Sequence, residues 1–311
     1  MNLVAAALDG DRYALARLIS LIEDRDPTAQ DAMGALFPHT GRAHLIGVTG
    51  PPGSGKSTLV NALTQRIRKL GRTAGIIAVD PTSPFTGGAL LGDRVRMRDL
   101  AGDPGVFVRS MATRGSLGGL AQATNDVVKV LDATGFDVVL IETVGAGQSE
   151  VEIAKTAHTT VVLEAPGMGD EVQALKAGLM EIADILVVNK ADRPGAARTA
   201  RALEMVINRN APGDADGWQP PILQTIALDG SGVSELVQAI DDHRRYLCAT
   251  GLLAERERRR IEKELLGVME RKLVDRLVSR LGRERLDEWV ERVAAREVDV
   301  YTVASRLCGT D

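Results

Sequence analysis

Residues 45–58 set three patterns in an order that leaves few folds open. Leu45-Ile46-Gly47-Val48-Thr49 is a short apolar run of strand type. Gly50-Pro51-Pro52-Gly53-Ser54-Gly55-Lys56-Ser57-Thr58 follows and fits G-x-x-x-x-G-K-[ST]. From Ser57 to Leu70, the residues Leu59, Leu63, Ile67 and Leu70 recur at helical spacing. Strand, glycine-rich loop and helix in this order build a phosphate cradle. Glycines let backbone N–H groups turn inward around phosphate oxygens. The helix N-terminus adds a favourable dipole. All nine residues from Gly50 to Thr58 are therefore candidate nucleotide contacts. Lys56 is expected to reach the β- and γ-phosphates, and the Ser57 hydroxyl to sit on Mg²⁺.

The rest of the chain extends the same architecture. Apolar runs at 45–49, 76–80, 106–109, 137–143, 160–165, 185–189 and 222–227 alternate with helix-like segments. Most are continuously apolar, which suits strands covered on both faces. The expected fold is α/β: a P-loop NTPase with a mostly parallel central sheet flanked by helices, and with helical extensions at both ends. The boundaries read as 1–42 for an N-terminal helical extension, 43–250 for the phosphate-binding domain and 251–311 for a helical C-terminal region. In the last, Ile261, Leu265, Met269, Leu273, Leu277 and Leu281 step by four and form an apolar stripe. Periodicity alone leaves two roles open for it: packing within its own region, or dimerisation.

Bulk properties remove several classes. The chain has 311 residues and a net charge of −4, which argues against a general binder of nucleic acid or anionic membrane. Its two cysteines, Cys248 and Cys308, offer neither a disulfide framework nor a C-x-x-C metal site. No stretch is apolar enough to span a bilayer, and the N-terminus lacks the features of a secretory leader. The reading is a cytoplasmic protein with no tightly bound organic cofactor. His39, His44, His158 and His243 are scattered, no two at metal-ligand spacing, and read as ordinary histidines.

Asn189-Lys190-Ala191-Asp192 closes the apolar run 185–189 and is an N-K-x-D arrangement. An Asp carboxylate accepts from guanine N1–H and from the exocyclic amine, a donor pair that adenine lacks. The Lys190 stem can lie along the base plane, and the Ala227 backbone N–H is placed to help read the guanine oxygen. The nucleotide pair is thus GTP and GDP. Glu142-Thr143-Val144-Gly145 stands where many GTPases have D-x-x-G. Gly145 is the candidate γ-phosphate contact and hinge, while Glu142 and Asp80 are candidates for the Mg²⁺ shell beside Ser57. In the Gly- and Thr-rich loop 81–97, Asp93 can orient a water. Gln148, three residues after Gly145, can help place it, although not adjacent to the glycine. Slow intrinsic hydrolysis is the expectation. Arg94, Arg96, Arg98, Arg109 and Arg114 can offset transition-state charge or contact a partner, against surface pairing as the bland alternative.

Several longer runs carry a resemblance. GDRYALARLISLIE (10–23), GVTGPPGSGKSTLVNAL (47–63), VDPTSPFTGGALLGDRVRM (79–97), RSMATRGSLGGLA (109–121), IETVGAGQSE (141–150) and LVVNKAD (186–192) closely resemble the methylmalonyl-CoA mutase-associated GTPases, the MeaB/ArgK family. The resemblance implies a Mg²⁺-dependent G-protein chaperone of an adenosylcobalamin-dependent acyl-CoA mutase, with methylmalonyl-CoA mutase favoured. Such a protein assists cofactor loading and protects the mutase. It also implies a homodimer joined through C-terminal helices, and three switch loops: the Asp93 region, the loop after Gly145, and residues 167–180. In the last, Gln173 and Lys176 share one helical face and can couple nucleotide state to a partner. Two alternatives stand beside this reading. A nickel-inserting metallochaperone GTPase usually needs His or Cys clusters that are missing here. A nucleotide-binding scaffold or transport-associated ATPase is the second: the complete phosphate loop with Lys56, Asp80 and Glu142 argues against a dead pocket, and the guanine reader against the ATPase, the family's older label.

Overall fold

The computed structural model describes residues 2–24, 26–80, 97–100, 102–112, 117–143, 156–167, 181–210 and 217–309, with the backbone alone at 80, 98, 112, 117–122 and 208–210. It divides into two compact units, residues 1–254 and 255–311.

The first unit is built on seven strands: β1 His44–Thr49, β2 Ala74–Asp80, β3 Val106–Ala112, β4 Val138–Glu142, β5 Thr159–Glu164, β6 Ile185–Asn189 and β7 Ile222–Thr225. Their order across the sheet is β3-β2-β4-β1-β5-β6-β7, with every pair parallel. All seven apolar runs of the sequence are strands of this sheet. They read as continuously apolar because each face is covered. Side chains alternate: Leu45, Ile77, Val79, Val139 and Ile141 point to one side, while Ile46, Val48, Ile76, Val138 and Leu140 point to the other.

The first face is covered by α1 Leu3–Leu8, α2 Arg12–Glu23, α3 Pro27–Leu36 and α5 Leu117–Ala133, so the N-terminal helices share the sheet's own core. Each N-terminal helix is started by an acid or amide cap: Asn2, Asp11 and Asp26 accept from the first-turn N–H groups. The second face is covered by α4 Lys56–Lys69 and α7 Val233–Ala249. A third helix, α6 Ala196–Asn210, packs Ala196, Ala200 and Leu203 on Val162, Leu186 and Val188. Parallel strands put all seven carboxyl ends on one side, and that is where β1 hands over to the glycine-rich loop.

At the opposite end, three of the four histidines are not scattered. His44 Nε2 lies 2.8 Å from Thr159 Oγ1, which lies 2.9 Å from His243 Nδ1, and His243 Nε2 is 3.2 Å from Asp184. His44 Nδ1 and His243 Nε2 are buried nitrogens with no hydrogen-bond partner among the described residues. His158 stacks on the His44 ring. The fold brings together residues far apart in sequence, so spacing along the chain could not show this chain of contacts.

The helix α8 Leu252–Leu281 runs into the second unit, which also contains α9 Arg283–Ala294 and α10 Val300–Cys308. Gly282, with φ +82°, ends α8. No residue of α8 is buried, and Leu265, Met269 and Leu273 of its apolar stripe stay 49–63% exposed. Among the described residues, no helix is long and apolar enough to cross a membrane.

Candidate nucleotide site

The loop between β1 and α4 is shaped by backbone that only glycine tolerates. Gly50 has φ +146°, and a Cβ there would meet the Leu163 carbonyl oxygen at 2.3 Å. Gly55 has φ +96°, and its Cβ would meet Asn189 Nδ2 at 2.4 Å. The first glycine lets the loop leave β1 against β5, and the second lets it pass the end of β6. Gly55 then starts α4 without a side-chain cap among the described residues, so the first-turn N–H groups face the loop as anion donors.

Lys56 and Ser57, both buried, open α4. Lys56 Nζ donates to the Gly50 carbonyl at 2.8 Å and to that of Pro51 at 3.0 Å. The ammonium therefore spans the mouth of the loop on the chain's own carbonyls, where phosphate oxygens would compete for it. The Ser57 hydroxyl donates to Glu142 Oε1 at 2.6 Å. β4 lies beside β1, with Glu142 in register with Val48, and that pairing carries the acid to the loop. A hydroxyl and a carboxylate oxygen at this distance are the hard donors Mg²⁺ takes, so the residues present fit that ion. One residue on, the Thr143 hydroxyl donates to Thr49 Oγ1 at 3.0 Å and ties the end of β4 to the end of β1.

Asn189 is the centre of the other half. Buried at the end of β6, its Nδ2 donates to the Ser54 carbonyl at 2.9 Å. Its Oδ1 accepts from the Thr225 hydroxyl at 3.1 Å and from the Ala227 N–H at 3.2 Å. One side chain thus joins the phosphate loop, β6 and the turn after β7. Lys190 follows with φ +58°, a left-handed conformation unusual for a residue with a Cβ. It directs Nζ to the Gly53 carbonyl at 2.5 Å, laying its stem across the loop. Asp192, two residues further, is exposed. The Ala227 N–H, read from sequence as a base contact, is held by Asn189 in this structure.

The structure therefore brings Gly50 to Thr58, Glu142, Asn189, Lys190 and Ala227 to one end of the sheet. The β2 backbone ends there at Asp80, but the Asp80 side chain, Asp93, Gly145, Gln148, Gln173 and Lys176 lie outside the described residues. Arg109, a candidate for transition-state charge, is used elsewhere. Its Nε donates to Glu23 at 3.0 Å and its guanidinium also meets Ser20, fastening α2 to β3. Two contributors were not singled out from sequence. Thr225 locks the Asn189 side chain, and the only signal for it was its place at a strand end beside N-K-x-D. Glu164, fully buried, ends β5 next to Leu163, which backs Gly50; an acid closing an apolar run was the available signal.

A parallel sheet whose first strand feeds a glycine-rich loop, with an Asn-Lys-x-Asp turn bonded to that loop, defines a P-loop NTPase of the GTPase class. Comparison with known proteins gives the family. The family model described as Methylmalonyl Co-A mutase-associated GTPase MeaB matches residues 15–281, and the chain belongs to that family of P-loop GTPases. A relative from Pyrococcus abyssi is 48% identical, over 98% of this chain and 95% of its own. The methylmalonic aciduria type A homolog of Mus musculus, a mitochondrial protein, is 32% identical, over 81% of this chain and 65% of its own. The solved structure of an LAO/AO transport system kinase superposes with a TM-score of 0.74 at 28% identity, covering 99% of this chain and 96% of that one.

Proposed function

We propose that this GTPase serves as the G-protein chaperone of an adenosylcobalamin-dependent acyl-CoA mutase, with methylmalonyl-CoA mutase as client. It would assist loading of the mutase cofactor and protect the enzyme from inactivation. The observation that carries the nucleotide half is the Asn189 side chain, which bonds the phosphate loop to the base-reading turn. Support for the client comes from the family's description and from the name of the mouse relative.

The chemistry follows from the residues at the sheet end. GTP would lie with its phosphates against the amides of the loop and its base at Asp192, whose exposed carboxylate accepts the guanine donor pair. Lys56 exchanges its bonds to the Gly50 and Pro51 carbonyls for phosphate oxygens and offsets charge that develops as water attacks the γ-phosphate in line. Ser57 and Glu142, with Asp80, would hold Mg²⁺, which when bound neutralises charge on the β- and γ-oxygens. Asp93 and Gln148 are the proposed water-positioning residues, and Gly145 the hinge that senses the γ-phosphate. Gln173 and Lys176 would pass that state to the client.

The exposed stripe of α8 supports a homodimer, since a helix of that length with no buried side chain leaves its apolar face for a second copy. The compartment proposed is the cytoplasm. The proposed division keeps a sheet domain of residues 43–250 and a helical region 251–311, with the helices of 1–42 joined to the sheet domain whose core they share.

The test is complex formation. Mixed with purified methylmalonyl-CoA mutase, the protein should co-elute from gel filtration, and the fraction bound should change between GDP and a non-hydrolysable GTP analogue. Separate elution under every nucleotide condition, with other acyl-CoA mutases failing as well, would remove the chaperone reading.

A further inference from the structure

Beside the base-reading turn, the outer face of α4 is the floor of a cleft of about 580 Å³. Thr58, Ala62, Gln65 and Lys69 recur every three or four residues and so share that face, with Asn61 and Arg66 at its flanks. One wall is the turn Ala227–Gly230 and the start of α7, and Asp99 stands on the other. Apart from Thr58 and Ala227, none of these residues has a part in the hydrolytic site.

Two side chains that line this cleft each carry a buried atom without a hydrogen-bond partner among the described residues: the acceptor Asn61 Oδ1 and the donor Arg66 Nε. Buried polar groups are nearly always paired, so an unpaired acceptor and donor together point to a ligand that supplies both complements. The position of the cleft limits what that ligand is. Thr58 follows Ser57 at the phosphate end, and Ala227 follows Thr225 at the base end. A nucleotide whose phosphates lie at Lys56 and whose base lies at Asp192 must place its ribose between them, at the top of the cleft. Arg66 is eight residues beyond Thr58, about 12 Å along the helix axis, and helical side chains lean back towards the N-terminus. Its guanidinium therefore stands beyond the ribose, with Lys69 behind it.

Resting on the guanine-nucleotide reading above, we infer that this cleft binds a second phosphate chain carried on the ribose of a guanine nucleotide. Arg66 and Lys69 pair with the added phosphates, and Asn61 accepts a remaining hydroxyl proton. Two acids share the cleft. Asp229 accepts the Ser231 N–H at 2.8 Å and is held in its own turn. Asp99 is exposed, and among the described residues no ion pair ties it to Arg66 or Lys69. A ligand with a 5′-diphosphate and this second chain offers no γ-phosphate, so it would fill the loop and block turnover.

The experiment is calorimetry with GDP and with guanosine 3′,5′-bis(diphosphate), on the full chain and on the Arg66→Gln/Lys69→Gln double variant. A charge-assisted bidentate contact predicts that the bis(diphosphate) binds wild type about tenfold more tightly than GDP. The double variant should lose that gain while keeping its GDP affinity, which also reports that it is folded. Equal or weaker binding of the bis(diphosphate) by wild type overturns the inference and leaves the GTPase reading intact. A gain that survives in the double variant overturns the assignment to this cleft. Failure of GDP itself to bind wild type overturns both.

Discussion

Replacing Asn189 with alanine tests the joint on which the nucleotide site depends. The side chain makes three hydrogen bonds, at 2.9, 3.1 and 3.2 Å, to the phosphate loop, the end of β7 and the turn that follows it. Each is worth about 1 kcal/mol net, and all three partners are left in a buried setting, so the expected loss is about 3 kcal/mol. For a unit of this size about 2–4 °C of melting temperature follows each kcal/mol, which predicts a fall of about 6–12 °C. Where the loss is taken locally, as loosening of the loop, nucleotide binding weakens by up to about a hundredfold instead. Asn189→Asp separates the contributions. It keeps both bonds accepted by Oδ1 and loses the donor to the Ser54 carbonyl, replacing it with an oxygen that repels. Its stability should be intermediate, with nucleotide affinity still reduced. Differential scanning calorimetry and GDP titration read both effects. An Asn189→Ala protein that melts within 2 °C of wild type and binds GDP unchanged would refute the argument that this side chain fixes the loop.

Other expectations follow from the same geometry. Lys56→Ala should abolish GTP turnover measured by phosphate release, and full activity would remove the loop from the chemistry. Glu142→Gln keeps the size of the group but gives up the carboxylate charge facing Ser57, so the Mg²⁺ concentration for half-maximal turnover should rise at least tenfold. His44 is held well below the usual histidine range, first by burial and then by the nearby charges of His158 and Arg244. The fold therefore favours its neutral form, and stability present above about pH 6.5 falls by about 1.4 kcal/mol per pH unit below it. His44→Gln should flatten that part of the urea-denaturation profile relative to wild type. A Leu265→Glu/Leu273→Glu double substitution on α8 should shift sedimentation from dimer to monomer without lowering the melting temperature of the sheet unit.

Much of this was legible in the chain because the relevant signals are local. Continuously apolar runs located all seven strands, since strands covered on both faces carry no polar alternation. Glycines at 50 and 55 stand where the backbone turns left-handed against a neighbour, and the glycine-rich pattern records that need. The N-K-x-D turn is equally compact in sequence. What escaped is what only folding brings together. Thr225 acts on Asn189 across two strands. His44 meets Thr159 and His243 through the sheet order, not through spacing. The N-terminal helices read as an extension, yet they bury their apolar faces in the core of the sheet itself. Arg109 was one of five arginines that could offset transition-state charge, with pairing the favoured reading of each, and Glu23 of α2 takes its charge. Glu142 stands beside Ser57 because its register with β1 carries it to the loop.

The most direct test of the chaperone account is the rate of GTP hydrolysis with and without methylmalonyl-CoA mutase under saturating GTP and Mg²⁺. The account predicts slow turnover of the protein alone and a rise of at least tenfold when the mutase is added, with ATP hydrolysed at neither stage. A rate unchanged by the mutase, or equal turnover of ATP, would contradict it.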